Sequence, residues 1–473
     1  MRYVWVSQPY IGVGLAMQNW APDLVSEDGP KYLGIAASLT RAIEDGTLRP
    51  GQRLPPQRDL AKRLDVDLTT VTRAYGLVRD SGLIEGSGRL GSHVRNDPPL
   101  PRGETDDVGM NMPPQPASAL LDEALRSGTA ALLRAGGATP MLQYQPSNGS
   151  RHDRAVAAAA ISDFGLPTNE EEIIITAGGQ NALHAIIGAG LGSGTVIAAG
   201  QHVYPGLLAL AGRFGLRVLS VESDGEGLDP ESLATAARAG ATTVYVVPSN
   251  DNPTTATMSL DRRQAIADVA RHHDLTIIED DAYGRLPELP VLPIAGLAPE
   301  RTWHIASISK IISPALRVAH VRAPSIQDAW RLSADVHETA VMAPPLNAAL
   351  VSLWLRNGQF KELVAAVRTE AIARQRVISC YLSDFDHAMQ PEGYHIWLRT
   401  GPATSVVDLV SALRPTGLSV VPGEAFLADR SQASPFVRLS IGGAIGHERL
   451  GRAFERLEAM MRRDGSRYRA LPS

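Results

Sequence analysis

The chain has 473 residues, of which 44% are apolar and 20% charged, and its formal net charge is −5. At roughly 100–200 residues per domain this length predicts more than one domain, and the composition excludes a disordered or fibrous chain. The single cysteine, Cys380, rules out an internal disulfide and the cysteine-rich zinc modules, so no metal site is expected. No apolar run approaches the ~18 residues of a membrane span and Met1–Gln18 does not read as a leader, so a soluble, cytoplasmic protein without membrane contact is expected.

The charge is unevenly spread. Lys31 to Arg95 hold 11 Lys plus Arg against 7 Asp plus Glu, leaving −9 for the rest. A basic module on an acidic body suits one part touching phosphate and another handling something else. Ile35, Leu39, Ala42 and Ile43 recur at helical spacing, with Gly46 as a C-cap. Leu60, Ala61 and Leu64 mark a second helix. Asp67 is placed to cap a third, whose apolar face is Val71, Tyr75 and Val78, so that Thr69, Thr72 and Arg73 point outward. Leu83-Ile84 and Ser92–Val94 flank a turn-rich stretch and predict a hairpin. Three helices and a hairpin make a winged helix-turn-helix.

The ordered run Gly46-Thr-Leu-Arg-Pro-Gly-Gln-Arg-Leu-Pro-Pro-Gln-Arg58-Asp-Leu-Ala, with Thr70-Val-Thr-Arg-Ala-Tyr75 downstream, resembles the GntR-type DNA-binding domain. The resemblance implies that Arg58 contacts a DNA phosphate or base. It also implies that Thr69, Thr70 and Thr72 lie on the recognition helix beside Arg73, with Arg89 and Gly91 in the wing. Many members carry Arg where this chain has Leu68, which offers only apolar contact, for example to a thymine methyl.

The module is expected to span 28–95 and a linker 96–107, since Arg95–Thr105 holds three prolines and no apolar periodicity. A larger body follows over 108–465. Apolar runs at Ile173–Thr176, Thr195–Ala199, Arg217–Val221, Thr243–Val247, Leu275–Glu279, Trp303–Ala306 and Val318–Val321 alternate with helix-length stretches. They predict a mainly parallel seven-stranded sheet covered on both faces. In such sheets ligands gather at the carboxyl ends of the strands.

Polar residues cluster just after those runs. Gly178-Gly179-Gln180 opens a helix and offers free N–H groups to a phosphate. Asn252, Asp280 with Tyr283, Ser307 with Lys310, and Arg317 follow later strands. A lysine that forms a Schiff base with an aldehyde cofactor needs this company. A carboxylate keeps the pyridine nitrogen protonated, Tyr and Asn hydrogen-bond the ring phenolate, and Ser307, Arg317 and the glycine-turn amides hold the phosphate.

The body resembles, over about Asn111–Arg463, the fold-type I, aspartate-aminotransferase-like proteins that use pyridoxal 5'-phosphate. The resemblance implies a smaller C-terminal subdomain beyond the sheet. It also implies that Lys310 is the aldimine lysine, Asp280 the pyridine-nitrogen partner, and Tyr283 with Asn252 the phenolate partners. It implies that Tyr204 stacks on the ring, that Tyr144 reaches a neighbouring subunit's phosphate, and that Arg438 grips a substrate carboxylate. Asn111 is expected in the substrate pocket or in a turn. Ala315 and Ala319 stand where glycines are frequent, and the neighbouring Asp281 leaves open which carboxylate faces the ring, although the spacing to Tyr283 favours Asp280.

Joined on one chain, the two halves resemble the MocR-type regulators. That resemblance implies a cytoplasmic homodimer that binds a double-stranded operator and senses an amine, an amino acid or pyridoxal phosphate itself at Lys310. The alternatives are an active aminotransferase carrying a DNA-binding domain, and a DNA-binding scaffold with a dead cofactor fold.

Overall fold

The computed structural model describes residues 20, 30–44, 46–86, 91–95, 109–116, 120–401 and 404–469. The chain divides into two compact units, Met1–Thr105 and Asp106–Ser473. The expected linker 96–107 and the wing residue Arg89 lie outside the described residues.

In the first unit, α1 (Lys31–Glu44), α2 (Gln57–Leu64) and α3 (Leu68–Asp80) precede the antiparallel hairpin of β1 (Ile84–Gly86) and β2 (Ser92–Val94). The helical spacing closes one core from Ile35, Leu39, Leu60, Val71, Tyr75, Val78, Ile84 and Val94. Asp67 caps α3, its Oδ1 accepting from the Thr69 amide at 2.7 Å. The Tyr75 hydroxyl, buried with its ring, donates to the Pro55 carbonyl at 2.9 Å. Gly51–Leu54 adds a third stretch to the wing, with the Gly51 and Leu54 amides donating to Val94 and Ser92. That addition escapes a periodicity reading, because four residues ending before two prolines carry no strand pattern.

The second unit is built on a seven-stranded sheet of β3 (Ile173–Thr176), β4 (Val196–Gly200), β5 (Arg217–Val221), β6 (Thr243–Val246), β7 (Thr276–Asp280), β8 (Thr302–Ser307) and β9 (Ala319–Arg322), in the order β3-β9-β8-β7-β6-β4-β5. Only β9 runs against its neighbours. The reason is length: the connection from β8 is too short for the dozen or more residues of a parallel crossover. Successive residues enter opposite cores, as a pleated strand requires. Ile278 and Ile305 face the helices Gly179–Gly190 and Ile326–Ala340, whereas Ile277 faces Pro230–Arg238 and Leu260–His272.

A smaller antiparallel sheet follows, with β10 (His387–Ala388), β11 (His395–Arg399), β12 (Ser419–Pro422) and β13 (Phe436–Ser440) in the order β10-β11-β13-β12. It packs on the long helices Gln359–Leu382 and His447–Arg469 through Ile396, Leu398, Val437, Leu439, Ile378 and Phe454. Among the described residues no helix is long and apolar enough to cross a membrane.

Candidate cofactor site

The carboxyl edge of the large sheet forms a cup. Beyond β3, Gly178 adopts φ +85° and caps α4 (Gly179–Gly190), so the first amides of that helix are free to face a ligand. Arg317 stands on the same edge because β9 runs backwards. Its backbone is left-handed (φ +51°), and its guanidinium donates to the Ala177 carbonyl at 2.6 Å. A Cβ on Gly178 would lie 2.9 Å from that guanidinium, and one on Gly179 would lie 3.4 Å from the Ser307 hydroxyl. The left-handed φ of Gly178 favours glycine there, and both turn positions lie against the Arg317 and Ser307 side chains. Gln180 turns aside, its amide donating to the Gly206 carbonyl at 3.3 Å.

Three consecutive carboxylates, Glu279, Asp280 and Asp281, meet this edge, and their surroundings separate them. Glu279 points to the far face, accepting from the Ile294 and Ala295 amides at 2.8 and 2.9 Å. Asp281 pairs with the ring of His304 at 3.3 Å, both side chains buried. Asp280 ends β7 on the other face and accepts from the Tyr245 hydroxyl at 2.8 Å. Burial pushes it up to about 6, against the pull of that hydrogen bond. The Lys310 amine lies close enough to Asp280 for the two charges to stabilise each other, yet burial, reinforced by Arg438, holds it down at about 8. Its Nζ donates to the Asn111 carbonyl at 2.6 Å.

Behind the lysine runs a polar network. The Asn111 amide nitrogen donates to the Tyr283 hydroxyl at 2.8 Å and lies 3.1 Å from His395 Nδ1, while its oxygen accepts from Ser440 at 2.6 Å. His395 Nε2 faces the Asp251 carbonyl at 2.9 Å, so Nε2 carries the proton and Nδ1 accepts from Asn111. Burial holds this imidazole neutral, down at about 3. Asn111 is thus buried and committed to Tyr283, His395 and Ser440, with its carbonyl on Lys310. Tyr394 adds a bond to the Lys310 carbonyl at 2.7 Å.

Arg438 is buried on β13 and donates to Asn252 Oδ1 at 3.1 Å and to the Gly109 carbonyl at 2.6 Å. Tyr204 precedes the helix Pro205–Phe214, where a side chain at Gly206 would collide with its ring. Burial, with the Asp280 charge adding to it, pushes the Tyr204 hydroxyl up to about 12. Tyr144 is not brought into this group; it is 84% exposed. Tyr245, Tyr394, His395 and Ser440 were not singled out from the sequence. Tyr245 had a signal: a tyrosine inside a wholly apolar strand needs a partner for its hydroxyl.

In the first unit Arg58, Thr69 and Thr72 are exposed and Thr70 is half-buried. Thr72 donates to Gln57 at 2.9 Å, tying α3 to the start of α2. Arg73 stacks on Tyr32, its guanidinium carbon 4.1 Å from the ring centroid. Gly91 takes φ +86° in the wing, and a Cβ there would lie 3.4 Å from the Arg53 side chain.

Residues 109–457 match the aminotransferase class I and II family. The chain belongs to that family. Residues 31–94 match the bacterial regulatory proteins of the gntR family, and the pairing is the MocR-type architecture. The chain is similar to the HTH-type transcriptional regulator TauR of Rhodobacter capsulatus, at 29% identity with 88% of this chain and 94% of that one covered. It is similar to the vitamin B6 salvage pathway transcriptional repressor PtsJ of Salmonella typhimurium, at 28% identity with 84% and 92% covered. Among solved structures, the α-aminoadipate aminotransferase LysN of Thermus thermophilus superposes with TM-score 0.68 at 25% identity, over 76% of this chain and 94% of that one.

The cofactor of this MocR-type body is pyridoxal phosphate, and the donor set fits it. Arg317 and Ser307 lie against the Gly178–Gly179 turn that opens a helix, and the Asp280 carboxylate lies near the lysine. When bound, pyridoxal phosphate supplies an aldehyde for amines to capture and a ring that withdraws electrons from the bond so formed. With the cofactor bound, burial would keep Lys310 partly neutral, Asp280 would supply the charge for the ring nitrogen, and Asn111 would hold Tyr283 in place.

Proposed function

We propose that this chain is a pyridoxal-phosphate-dependent transcription regulator of the cytoplasm, in which an amine, an amino acid or the cofactor itself acts at Lys310 and changes the DNA affinity of the winged helix. The observation that carries the reading is the convergence of Lys310, Asp280, Tyr283 and the Gly178–Arg317 cup on a chain that also matches the gntR family over residues 31–94. Ser307, Arg317 and the amides of Gly179 and Gln180 serve the phosphate, Tyr204 the ring face, and Asn252 with Tyr283 the phenolate. Arg438 takes an effector carboxylate. Arg58, Thr69, Thr70, Thr72, Arg73, Arg89 and Gly91 serve the operator. The relatives' names, one tied to vitamin B6 salvage, support a regulatory role.

The working form is a homodimer. Tyr144, 84% exposed, reaches the partner's phosphate. Two winged helices then span half-sites about 10 base pairs apart, or a multiple of that. Lys310→Ala is expected to abolish the borohydride-trappable cofactor linkage in a folded protein and to remove the response of DNA binding to pyridoxal phosphate. Linkage retained on another lysine would overturn the reading. One arrangement favours a second reading, an active aminotransferase: Lys310, Asp280 and an Arg438–Asn252 pair are all in place. Steady conversion of an amino acid and a keto acid would establish it.

A further inference from the structure

We infer that Gly109–Gln115 is a strap that reads the state of the cofactor site, because two of its backbone carbonyls are held by the two cations that effector chemistry would recruit. This rests on the regulator reading above. Lys310 Nζ donates to the Asn111 carbonyl and Arg438 to the Gly109 carbonyl, each at 2.6 Å. The Asn111 side chain pins the middle of the strap to Tyr283, His395 and Ser440. At its far end the Gly443 amide donates to the Pro113 carbonyl at 3.2 Å and the Gln115 amide to the Gly443 carbonyl at 3.4 Å. Gly442 admits this passage, since a Cβ there would overlap the Met112 carbonyl. Asn111, Pro113 and Pro114 are buried, so the strap is part of the site wall.

Both carbonyls are neutral acceptors on charged or chargeable donors, and each loses when a stronger acceptor or a covalent bond takes its partner. A carboxylate on Arg438 competes with the Gly109 carbonyl as a full charge against a dipole. Capture of an aldehyde by the neutral Lys310 amine forms C=N and releases one water, whose hydrogens are the two N–H hydrogens of Nζ; the Asn111 carbonyl then has no donor there. A buried carbonyl without a donor is costly, so the strap re-seats. Ligands therefore fall into classes. Pyridoxal phosphate alone releases the Asn111 carbonyl, whereas an anion at Arg438 releases that of Gly109. An amine bearing a carboxylate takes over the C=N carbon and passes its two N–H hydrogens to Nζ, so Lys310 can again donate to the Asn111 carbonyl while the carboxylate releases that of Gly109. Gly109 lies just beyond the boundary between the two units, at Thr105 and Asp106, so its displacement moves the end of the connection to the DNA-binding half.

The test is hydrogen exchange on the full-length protein, following peptides that cover 109–115 with and without pyridoxal phosphate. Operator affinity is measured in parallel on a duplex that the protein itself enriches from a random pool. Absorbance and a reduced adduct on Lys310 establish cofactor binding, and enrichment establishes DNA binding; failure of either overturns the regulator reading, and this inference with it. With both in hand, pyridoxal phosphate is expected to speed exchange in 109–115 about tenfold, the equivalent of one lost hydrogen bond. Ser440→Ala, which unpins Asn111, is expected to speed it without cofactor and to shift operator affinity in the direction that cofactor does. Exchange unchanged to within about twofold on a protein with the Lys310 adduct would sink the strap. So would a Ser440→Ala protein with fast exchange and wild-type operator affinity. The wild-type comparison stands alone if the variant does not fold.

Discussion

At the scale of one residue, the proposed role of Lys310 carries a chemical requirement: its amine must be neutral to attack. Burial and the nearby Arg438 guanidinium bring it down to about 8 from the usual 10.5, while Asp280 opposes them. The rate of pyridoxal phosphate capture is therefore expected to rise with pH and level off above about 8, as followed by stopped-flow absorbance. Asp280→Asn removes the opposing charge and moves the plateau to lower pH; a profile still rising near 10 would contradict the assignment. Asp280 also has a stability consequence. Its folded value, about 6, exceeds the ordinary 3.8, so its contribution to stability is present below pH 4 and lost as pH rises through 6. Cofactor-free Asp280→Asn should therefore be more stable than wild type by up to about 3 kcal/mol at pH 7.5 and nearly equal to it near pH 4, while binding the cofactor at least tenfold more weakly. Thermal unfolding at the two pH values checks the first point and absorbance titration the second. The resemblance marked Asp280 as the candidate through the family's spacing to Tyr283. Its separation from Asp281 was not legible, because that depends on His304, which lies 23 residues on and meets Asp281 only across the sheet.

Elements follow local rules where their chemistry is local. The Asp67 cap, the α3 face of Val71, Tyr75 and Val78, and the glycine turn before α4 all appear in the sequence as spacing and residue type. The reversed direction of β9 and the Gly51–Leu54 addition to the wing do not, since strand pairing joins segments without marking either. At this scale the α2–α3 surface makes its own prediction. Arg58 is exposed at the start of α2, and Arg58→Ala is expected to weaken binding to an enriched duplex about tenfold and to flatten its salt dependence. Unchanged affinity and an unchanged salt slope in a binding titration would remove Arg58 from the interface.

At the scale of the whole molecule, the proposed homodimer assigns Tyr144, 84% exposed, to the site of the neighbouring chain. Hybrid dimers of Tyr144→Ala and Lys310→Ala chains are expected to regain one tight cofactor site, formed by Lys310 of one chain and Tyr144 of the other. Hybrids that bind no better than the Tyr144→Ala parent, by absorbance titration, would show that the residue acts within its own chain or not at all. By itself the sequence determined the two family halves and the succession of strands and helices, because motif order and periodicity are properties of neighbours in the chain; the resemblance it carries made Lys310, Asp280 and the phosphate-cup residues the candidates. Only the tertiary structure decided that Asn111 is bound to Tyr283, His395 and Ser440, and that Lys310 and Arg438 hold the backbone of Gly109–Gln115. Those partners lie as many as 329 residues apart. A backbone carbonyl, moreover, is the same group in every residue, so no pattern of side chains marks which one a buried cation will hold.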